Sequence, residues 1–457
     1  MGKAKAESKI NDSCNTYGFW AFTPLLVFLS VYIGSGIVFT FMGVEKPFKQ
    51  IPREASLLIG ILAALLMNRK MNIEDKVEMI ARNSGQTSVM SMMLIFLAAG
   101  AFSGVCSATG AVDSVVNMGL AFIPKRFLVS GIFIVSSFLS TAMGTSTGTV
   151  VALAPIAVAV SDASGISPAI ALAAMSGGSM FGDNLSVISD TTIAATKGVG
   201  AEMKDKFKMN LLIAIPAAIT AIAAYSMVPV APDNIGRTGN YNLIYFVPYM
   251  VVLASALIGM NVLTVLFMGT AVAGTIGLCM GTVTVAGIFQ GAGGGINDML
   301  SIAIACILIR GLIGVTHEYG GIDWLIKTTL RFAKSRRTAE YCIAFLSAVL
   351  SIALANNTLA IIISAPLAGE IGKTYHIAPK RTASLLDIFG CVLLEFAPHT
   401  GGMVLLTTLA ECSPIDIFKN AYYAMALGVC AVITIQFGLL RTREERKYDS
   451  SNSTKTS

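Results

Sequence analysis

The stretch AMSGGSMFGDNLSVISDTTIAAT, Ala174–Thr196, places two aspartates, Asp183 and Asp190, in sequence that is otherwise small, apolar or hydroxyl-bearing. A carboxylate at the centre of a membrane helix costs about 2.5–3.5 kcal/mol on insertion scales, so such groups face water, an ion or one another. The three glycines of the stretch are poor helix formers, and we interpret them as helix breakers. The stretch therefore predicts a discontinuous helix whose unwound middle holds a cation or a proton.

The composition of the whole chain indicates a membrane protein. Of 457 residues, 54% are hydrophobic and 13% are charged, whereas soluble domains are about 25% charged. Several apolar runs reach the roughly 20 residues that a membrane-spanning helix needs. The net charge of +6 comes from Lys and Arg in short loops between these runs, where they set orientation and do not indicate nucleic-acid binding. A multi-pass membrane protein is expected, and a soluble enzyme is excluded.

An internal repeat divides the chain into two halves. Shifting the sequence by 211 residues aligns Gly100 with Gly311 and Pro168 with Pro379 without a gap. The aligned positions are glycines, prolines and polar interruptions, which low complexity alone does not produce. We predict a first repeat over residues 19–230 and a second over 231–440, between tails at 1–18 and 441–457.

Each repeat carries a polar interruption that predicts a re-entrant hairpin. The run 127–160 is too long for one helix and is broken by GTSTG at 144–148, so we expect two half-length helices around a polar tip. In the second repeat, the tip falls on 355–358 and the broken-helix centre on 394–402. Interrupted segments in matching positions of two halves are typical of a transporter site near the membrane midplane.

The orientation of the repeats follows from the crossing number and the loop charges. Each repeat is expected to hold five crossings plus a re-entrant hairpin and a broken helix, and an odd number inverts the second repeat. Basic loops such as 197–208 and 331–337 then share the side of the basic termini. The predicted fold is an all-α polytopic membrane protein of two inverted-topology repeats. We expect ten crossings and both termini in the cytoplasm, in a bacterial-type inner membrane.

The first broken helix offers oxygen ligands for a hard cation such as Na⁺. Its upstream half would expose carbonyls and its downstream half N–H groups. A helical turn over 185–192 would put Ser186, Ser189 and Asp190 on one face. The candidate cation ligands are Asp183, Asn184, Ser186, Ser189, Asp190 and Thr191.

Acidic and histidine side chains in the two breaks are expected to couple Na⁺ to H⁺. A buried site favours the protonated carboxyl and a nearby cation favours the carboxylate, so both ions compete for one group. The candidate coupling residues are Asp183, Asp190, Glu395 and His399. The candidate substrate-binding residues are Thr145, Ser146, Thr147, Asn356, Asn357, Thr358 and Thr400.

Structural roles stay open for each of these groups. The aspartates could cap the second half-helix, the hairpin tips could serve interhelical hydrogen bonding, and Glu395 could pair with His399. Asp387 and Arg310 lie within apolar runs, and a salt bridge within the second half is open.

The segment GDNLSVISDTT at 182–192 resembles the signature of the NhaC-type sodium/proton antiporter family, usually GD-x-x-SPISDTT. The resemblance implies inverted repeats, paired hairpins and exchange of Na⁺ and H⁺. It also implies cation binding at Asp183 and Ser186–Thr191, with the tip Thr145–Thr147 nearby. Two departures bear on the substrate: Val187 stands where Pro is usual, and Asn184 where His is common.

The relatives implied by this resemblance widen the range of substrates to be expected for this chain. Some of them move malate, lactate or amino acids along with the ions, and many are dimers, so a homodimer is one expectation. The tip Asn356-Asn357-Thr358 is also similar to the Ser-Asn-Thr tips of sodium-coupled carboxylate carriers.

We therefore expect a secondary active transporter, a sodium/proton antiporter in which Na⁺ and H⁺ compete at buried carboxylates. The alternative is a Na⁺- or H⁺-coupled transporter or exchanger of a small organic solute, either an amino acid or a carboxylate. An intramembrane hydrolase is disfavoured, because its two aspartates would lie on separate helices. The expected partners are membrane lipid, Na⁺ and H⁺. No cofactor is expected beyond Na⁺ as the transported or coupling ion.

Overall fold

The structure is a computed structural model that describes residues 17–44, 47–122, 124–186, 189–229, 241–258, 260–441 and 445. Most of both predicted tails, and the predicted boundary between repeats at 230–231, lie outside these ranges. Within them the regular structure is helical throughout. In the first half the α-helices are α1 Thr23–Phe41, α2 Arg53–Leu66, α3 Ile73–Ser84, α4 Thr87–Thr109, α5 Ala111–Phe122, α6 Leu128–Met143, α7 Ser146–Ser164, α8 Pro168–Leu185, α9 Asp190–Val199 and α10 Met203–Ser226.

The second half continues with ten α-helices in the described ranges. They are α11 Val247–Leu257, α12 Val262–Cys279, α13 Val285–Glu318, α14 Gly321–Leu330, α15 Arg336–Leu354, α16 Asn357–Thr374, α17 Pro379–Leu394, α18 Gly401–Leu409, α19 Pro414–Asn420 and α20 Tyr422–Gln436.

Seven helical segments of the described chain are long and apolar enough to cross a membrane, and an eighth arises if α18 and α19 count as one bent span. The chain is therefore a multi-pass membrane protein, as its composition predicts. The count is below the ten crossings expected, because helices such as α2 and α20 have 14 and 15 residues. They reach about 21–23 Å, short of a hydrocarbon core about 30 Å thick.

Corresponding helices of the two halves begin at a constant spacing. The helices that start at 146, 168, 190 and 203 have counterparts that start at 357, 379, 401 and 414, each 211 residues later. The shift that aligns the sequence thus also aligns the second hairpin arm, both parts of the broken helix and the helix that follows.

The two predicted hairpins are pairs of helices around short polar tips. Gly144 ends α6 with φ +67°, and the Thr145 hydroxyl accepts the Gly148 N–H at 3.4 Å. Ala355 ends α15 with φ +46°, and the Asn356 side chain accepts the Leu359 N–H at 2.8 Å. At each tip, one polar side chain therefore caps the following helix.

The arms of the first hairpin are longer than the half-length helices expected. α6 has 16 residues and α7 has 19, which gives about 24 and 28 Å. Pro155 lies inside α7 without ending it.

The glycines of the first broken helix are not helix breakers, which corrects our interpretation. Gly177, Gly178 and Gly182 lie inside α8 and let it approach α6 closely. A Cβ on Gly178 would lie 2.2 Å from the carbonyl oxygen of Phe133, and a Cβ on Gly182 would lie 2.4 Å from that of Ser137. Small residues at such crossings allow membrane helices to pack backbone against backbone.

The Lys-rich segment 197–208 is mostly helical and not the loop expected. α9 runs to Val199 and α10 begins at Met203, so only three residues connect them. Lys204 and Lys208 are exposed, whereas Lys206 is buried. Lys206 therefore belongs to the interior, and only the other lysines remain as orientation signals.

Candidate functional site

The first break separates α8 from α9 and places Asp183 in the last turn of α8, 2% exposed. The Ser189 hydroxyl donates to Asp183 Oδ1 at 2.6 Å, and the Ser189 and Thr191 hydroxyls lie 2.8 Å apart. No lysine, arginine or histidine of the described chain lies within 4 Å of the Asp183 carboxylate. Among the described residues, Asp183 is thus a buried carboxyl that accepts a neutral hydroxyl and has no charged partner.

The predicted helical face across the break is not formed. Ser186 and Ser189 have extended backbone conformations, with ψ of 132° and 138°. Asp190 is the first residue of α9. Val187, the site of one departure from the family signature, lies outside the described residues.

Asp190 is exposed, which corrects the expectation of two buried aspartates. Its Oδ1 accepts the Thr191 N–H at 2.9 Å, and its Oδ2 accepts the Thr358 hydroxyl at 2.8 Å. The tip that meets this aspartate therefore belongs to the second half, whereas we expected Thr145–Thr147. The reason is that α9 packs along α16.

The carbonyl end of α8 is occupied by a lysine. Lys206 Nζ donates to the Asn184 carbonyl at 3.0 Å and to the Thr192 hydroxyl at 2.7 Å. The last carbonyls of a helix lack intrahelical partners and carry a partial negative charge, so an ammonium is well placed there. The Asn184 carbonyl, one of those expected to be exposed at the break, is therefore paired with Lys206.

The same ammonium pairs with a carboxylate from the second half. Lys206 Nζ lies 2.6 Å from Asp387 Oδ2, with both side chains at most 1% exposed. Asn210 Nδ2, one turn after Lys206, donates to Asp387 Oδ2 at 2.9 Å and to the Asn184 carbonyl at 3.1 Å. The salt bridge of Asp387 thus joins the two halves.

Arg310 does not pair with Asp387, so the salt bridge that stayed open within the second half is absent. The guanidinium donates to the Gln86 side chain at 2.7 and 3.2 Å and to the Leu354 carbonyl at 3.1 Å. Arg310 therefore stabilises the carbonyl end of α15, next to the second tip.

The second break spans residues 395–400 between α17 and α18. His399 Nε2 lies 2.7 Å from the Ile352 carbonyl, and no hydrogen bond or ion pair joins the described Glu395 and His399 side chains. His399, 1% exposed, thus holds the end of α15. Pairing between these two residues is not formed.

Several predicted substrate-binding residues line one small cavity of about 100 Å³ between the tips and the second break. Its polar lining includes Ser146, Thr147, Ser176, Asn356, Asn357, Glu395 and Thr400. Glu395 therefore lies at a cavity that both tips line, whereas Asp190 contacts the second tip.

Sequence reasoning missed Lys206 and Asn210 and left Asp387 without a partner. Asp387 could be noticed as a lone acid in an apolar run, but its partner lies in the other half. Lys206 could not be singled out in the sequence, because it lies between two lysines that are exposed. Asn210 follows Lys206 by four residues, and that spacing puts both on one face of α10.

Comparison with known proteins identifies the family. A family model described as Na⁺/H⁺ antiporter family matches residues 8–230 and 238–441. The Na⁺/H⁺ antiporter NhaC of Alkalihalophilus pseudofirmus is 22% identical over 88% of this chain and 93% of its own length.

Two further similarities concern other transporters. The malate-2H⁺/Na⁺-lactate antiporter of Bacillus subtilis is 28% identical over 43% of this chain and 41% of its own length. Among solved structures, the YdaH transporter of Alcanivorax borkumensis is 12% identical over 82% of this chain and 90% of that chain, with a TM-score of 0.41. That structural likeness is too weak to carry an argument. Because the family model matches both halves, the chain belongs to the Na⁺/H⁺ antiporter family.

Proposed function

We propose that the chain exchanges Na⁺ for H⁺ across the membrane and that both ions compete at Asp183. The observation that carries this proposal is the contrast between two buried carboxyls. Asp387 has Lys206 at 2.6 Å, whereas Asp183 has no cationic partner in the described part of the chain and accepts a hydroxyl at 2.6 Å. A buried carboxyl without a charged partner must bind a proton or a cation to avoid a large desolvation cost.

The ligands around Asp183 suit an alkali cation. Its carboxylate and the hydroxyls of Ser189 and Thr191 form one hydrogen-bonded chain. To bind Na⁺, the hydroxyls would keep their protons, turn them away and present oxygen lone pairs to the ion. When the proton occupies the carboxyl, the charge that attracts Na⁺ is gone, and when Na⁺ binds, the proton leaves. Exchange follows from this competition if the site faces each side of the membrane in turn. Asp190 and Thr358 would form a second, more exposed binding position on the path of the ion to Asp183.

The proposal includes an inverted relation between the halves. The constant 211-residue spacing of helix starts, and the contact of the second tip with the first break, support a pseudo-two-fold axis in the membrane plane. Repeats over 19–230 and 231–440, ten crossings and cytoplasmic termini in a bacterial-type inner membrane are parts of this proposal. The short helices would then cross where protein surrounds them.

Proton flux in proteoliposomes tests the exchange. The wild-type protein should release protons from acid-loaded vesicles on addition of Na⁺, with K⁺ as the cation control. Asp183→Asn should abolish this flux, while Asp323→Asn, at an exposed aspartate of α14, should leave it unchanged. Normal Na⁺-driven flux in folded Asp183→Asn protein would contradict the proposal.

A second candidate function is coupled exchange of a small organic carboxylate. It is favoured by the similarity to a malate-2H⁺/Na⁺-lactate antiporter over 43% of the chain. The cavity between the tips would receive the solute, but at about 100 Å³ it is smaller than the roughly 300 Å³ of typical ligand pockets. An uptake screen with malate, lactate and amino acids decides between the two. If no solute changes the Na⁺-driven proton flux, exchange of Na⁺ for H⁺ alone is the function that remains.

A further inference from the structure

The first break contains a cation that belongs to the chain itself. Lys206 Nζ contacts Asp387 Oδ2 at 2.6 Å, the Thr192 hydroxyl at 2.7 Å and the Asn184 carbonyl at 3.0 Å. An ammonium has three protons, so these three acceptors satisfy it completely. Carboxylate, hydroxyl and helix-end carbonyl oxygens are also the ligands that broken helices offer to Na⁺.

The ammonium is buried, and one oxygen of its carboxylate partner has no hydrogen-bond partner among the described residues. Lys206 is 1% exposed and Asp387 is 0% exposed. Asp387 Oδ2 also accepts from Asn210 at 2.9 Å, whereas Asp387 Oδ1 has no hydrogen-bond partner among the described residues. The site therefore holds one full negative charge, an unused buried oxygen and exactly one tethered positive charge.

We infer that Lys206 is a resident cation in a second sodium-type site of the same break. The ammonium occupies the place between Asp387, Thr192 and the Asn184 carbonyl that a free Na⁺ would otherwise take. The two buried carboxyls at the first break, Asp183 of α8 and Asp387 of α17, thus have different roles: Lys206 neutralises Asp387, and Asp183 is left to the exchanging ions. This inference rests on the proposed function and fixes its ion count at one Na⁺ per chain.

The contacts of the Lys206 ammonium have two consequences for the first break. The same ammonium touches the last turn of α8 and the first turn of α9, so it holds the interrupted ends together without an exchangeable ion. It also reaches α17 of the second half through Asp387. A lysine with a structural role only would make the same contacts, but it would not determine the number of sodium ions that bind.

Sodium binding to purified protein separates these roles. We expect one Na⁺ per wild-type chain in equilibrium binding with radioactive sodium. Lys206→Gln, which keeps Asp387, should bind two, with the Hill coefficient of flux rising from about 1 toward 2. The matched control Lys206→Gln/Asp387→Asn, which removes both charges, should return to one. Folded Lys206→Gln protein that still binds one Na⁺ would overturn the inference.

A second variant keeps the test decisive if Lys206→Gln does not fold. Asp387→Asn leaves the ammonium without its counter-charge, so the KM for Na⁺ should rise about tenfold through repulsion. Lys206→Gln/Asp387→Asn should restore the wild-type KM. An unchanged KM in folded Asp387→Asn protein would overturn the inference as well.

Failure of the proposed function has a different signature. If Asp183→Asn protein binds Na⁺ as the wild type does, Asp183 is not the exchanging site. If Asp183→Asn loses its sodium but Lys206→Gln gains none, only the resident-cation inference fails.

Discussion

Asp190 and Thr358 lie 168 positions apart in the sequence and are joined by a hydrogen bond of 2.8 Å from the threonine hydroxyl to Oδ2 of the aspartate. Asp190 begins the downstream part of the first broken helix, and Thr358 lies in the first turn of the helix after the second tip. This contact joins the two halves at the mouth of the break. It makes the second tip the neighbour of Asp190.

Removing that hydroxyl should weaken sodium affinity. Thr358→Val keeps the shape of the side chain but loses the donor to Asp190. One charge-assisted hydrogen bond at an exposed carboxylate contributes about 1 kcal/mol, which corresponds to an approximately fivefold higher KM for Na⁺. Thr358→Ser, which retains a hydroxyl, is the matched control and should stay near wild type. Equal KM values for the valine and serine variants would exclude this role.

His399 should act by holding the second tip and not by carrying protons. Its Nε2 contacts the Ile352 carbonyl at 2.7 Å, so a glutamine amide can replace the donor. We expect His399→Gln to keep most Na⁺-driven flux and His399→Ala to lose at least half of it. A proton carrier would be inactivated by both changes, so an inactive but folded His399→Gln protein would refute the structural role.

The close approach of α8 to α6 should make Gly178 intolerant of a side chain. A Cβ there would lie 2.2 Å from the Phe133 carbonyl oxygen and 2.1 Å from Ser136 Oγ. Overpacking of this kind costs about 1–3 kcal/mol. We expect Gly178→Ala to lower the temperature at which detergent-solubilised protein loses its monodisperse peak. Gly131→Ala, at a glycine of α6 with no atom within 4 Å, should not lower it.

Asn210 should support the buried pair, because it donates both to Asp387 and to the Asn184 carbonyl. Asn210→Leu removes both hydrogen bonds at a fully buried position and should destabilise the protein by about 2 kcal/mol. Asn210→Asp would add a second acid beside Asp387 and should be worse. The unfolding temperatures of the two purified variants, which do not depend on transport activity, test this order of stability.

The sequence predicted much of the helix layout because its signals are local. Apolar runs, prolines at 168 and 379, and polar interruptions are read within a few residues, and helices begin where those signals lie. The glycines before Asp183 were misinterpreted for the same reason. In sequence alone a glycine weakens a helix, and only the neighbouring α6 reveals that Gly178 and Gly182 serve packing.

The site was predictable only in part, because its decisive contacts are long-range. Asp183, Ser189 and Thr191 lie within nine residues, and the signature at 182–192 brings them together. The partners Lys206 and Asp387 belong to opposite halves and share no local pattern. The choice of Thr358 over Thr145–Thr147 as neighbour of Asp190 also depends on how the halves pack.

The account stands on competition between Na⁺ and H⁺ at Asp183, and the pH dependence of the KM for Na⁺ measures that competition directly. As pH falls below the pKa of this carboxyl, protons occupy it, so the KM should rise about tenfold per pH unit while the maximal rate stays constant. Saturating Na⁺ should then recover the full rate at each pH. A KM that stays constant from alkaline pH down to about pH 4 in folded wild-type protein would contradict the account.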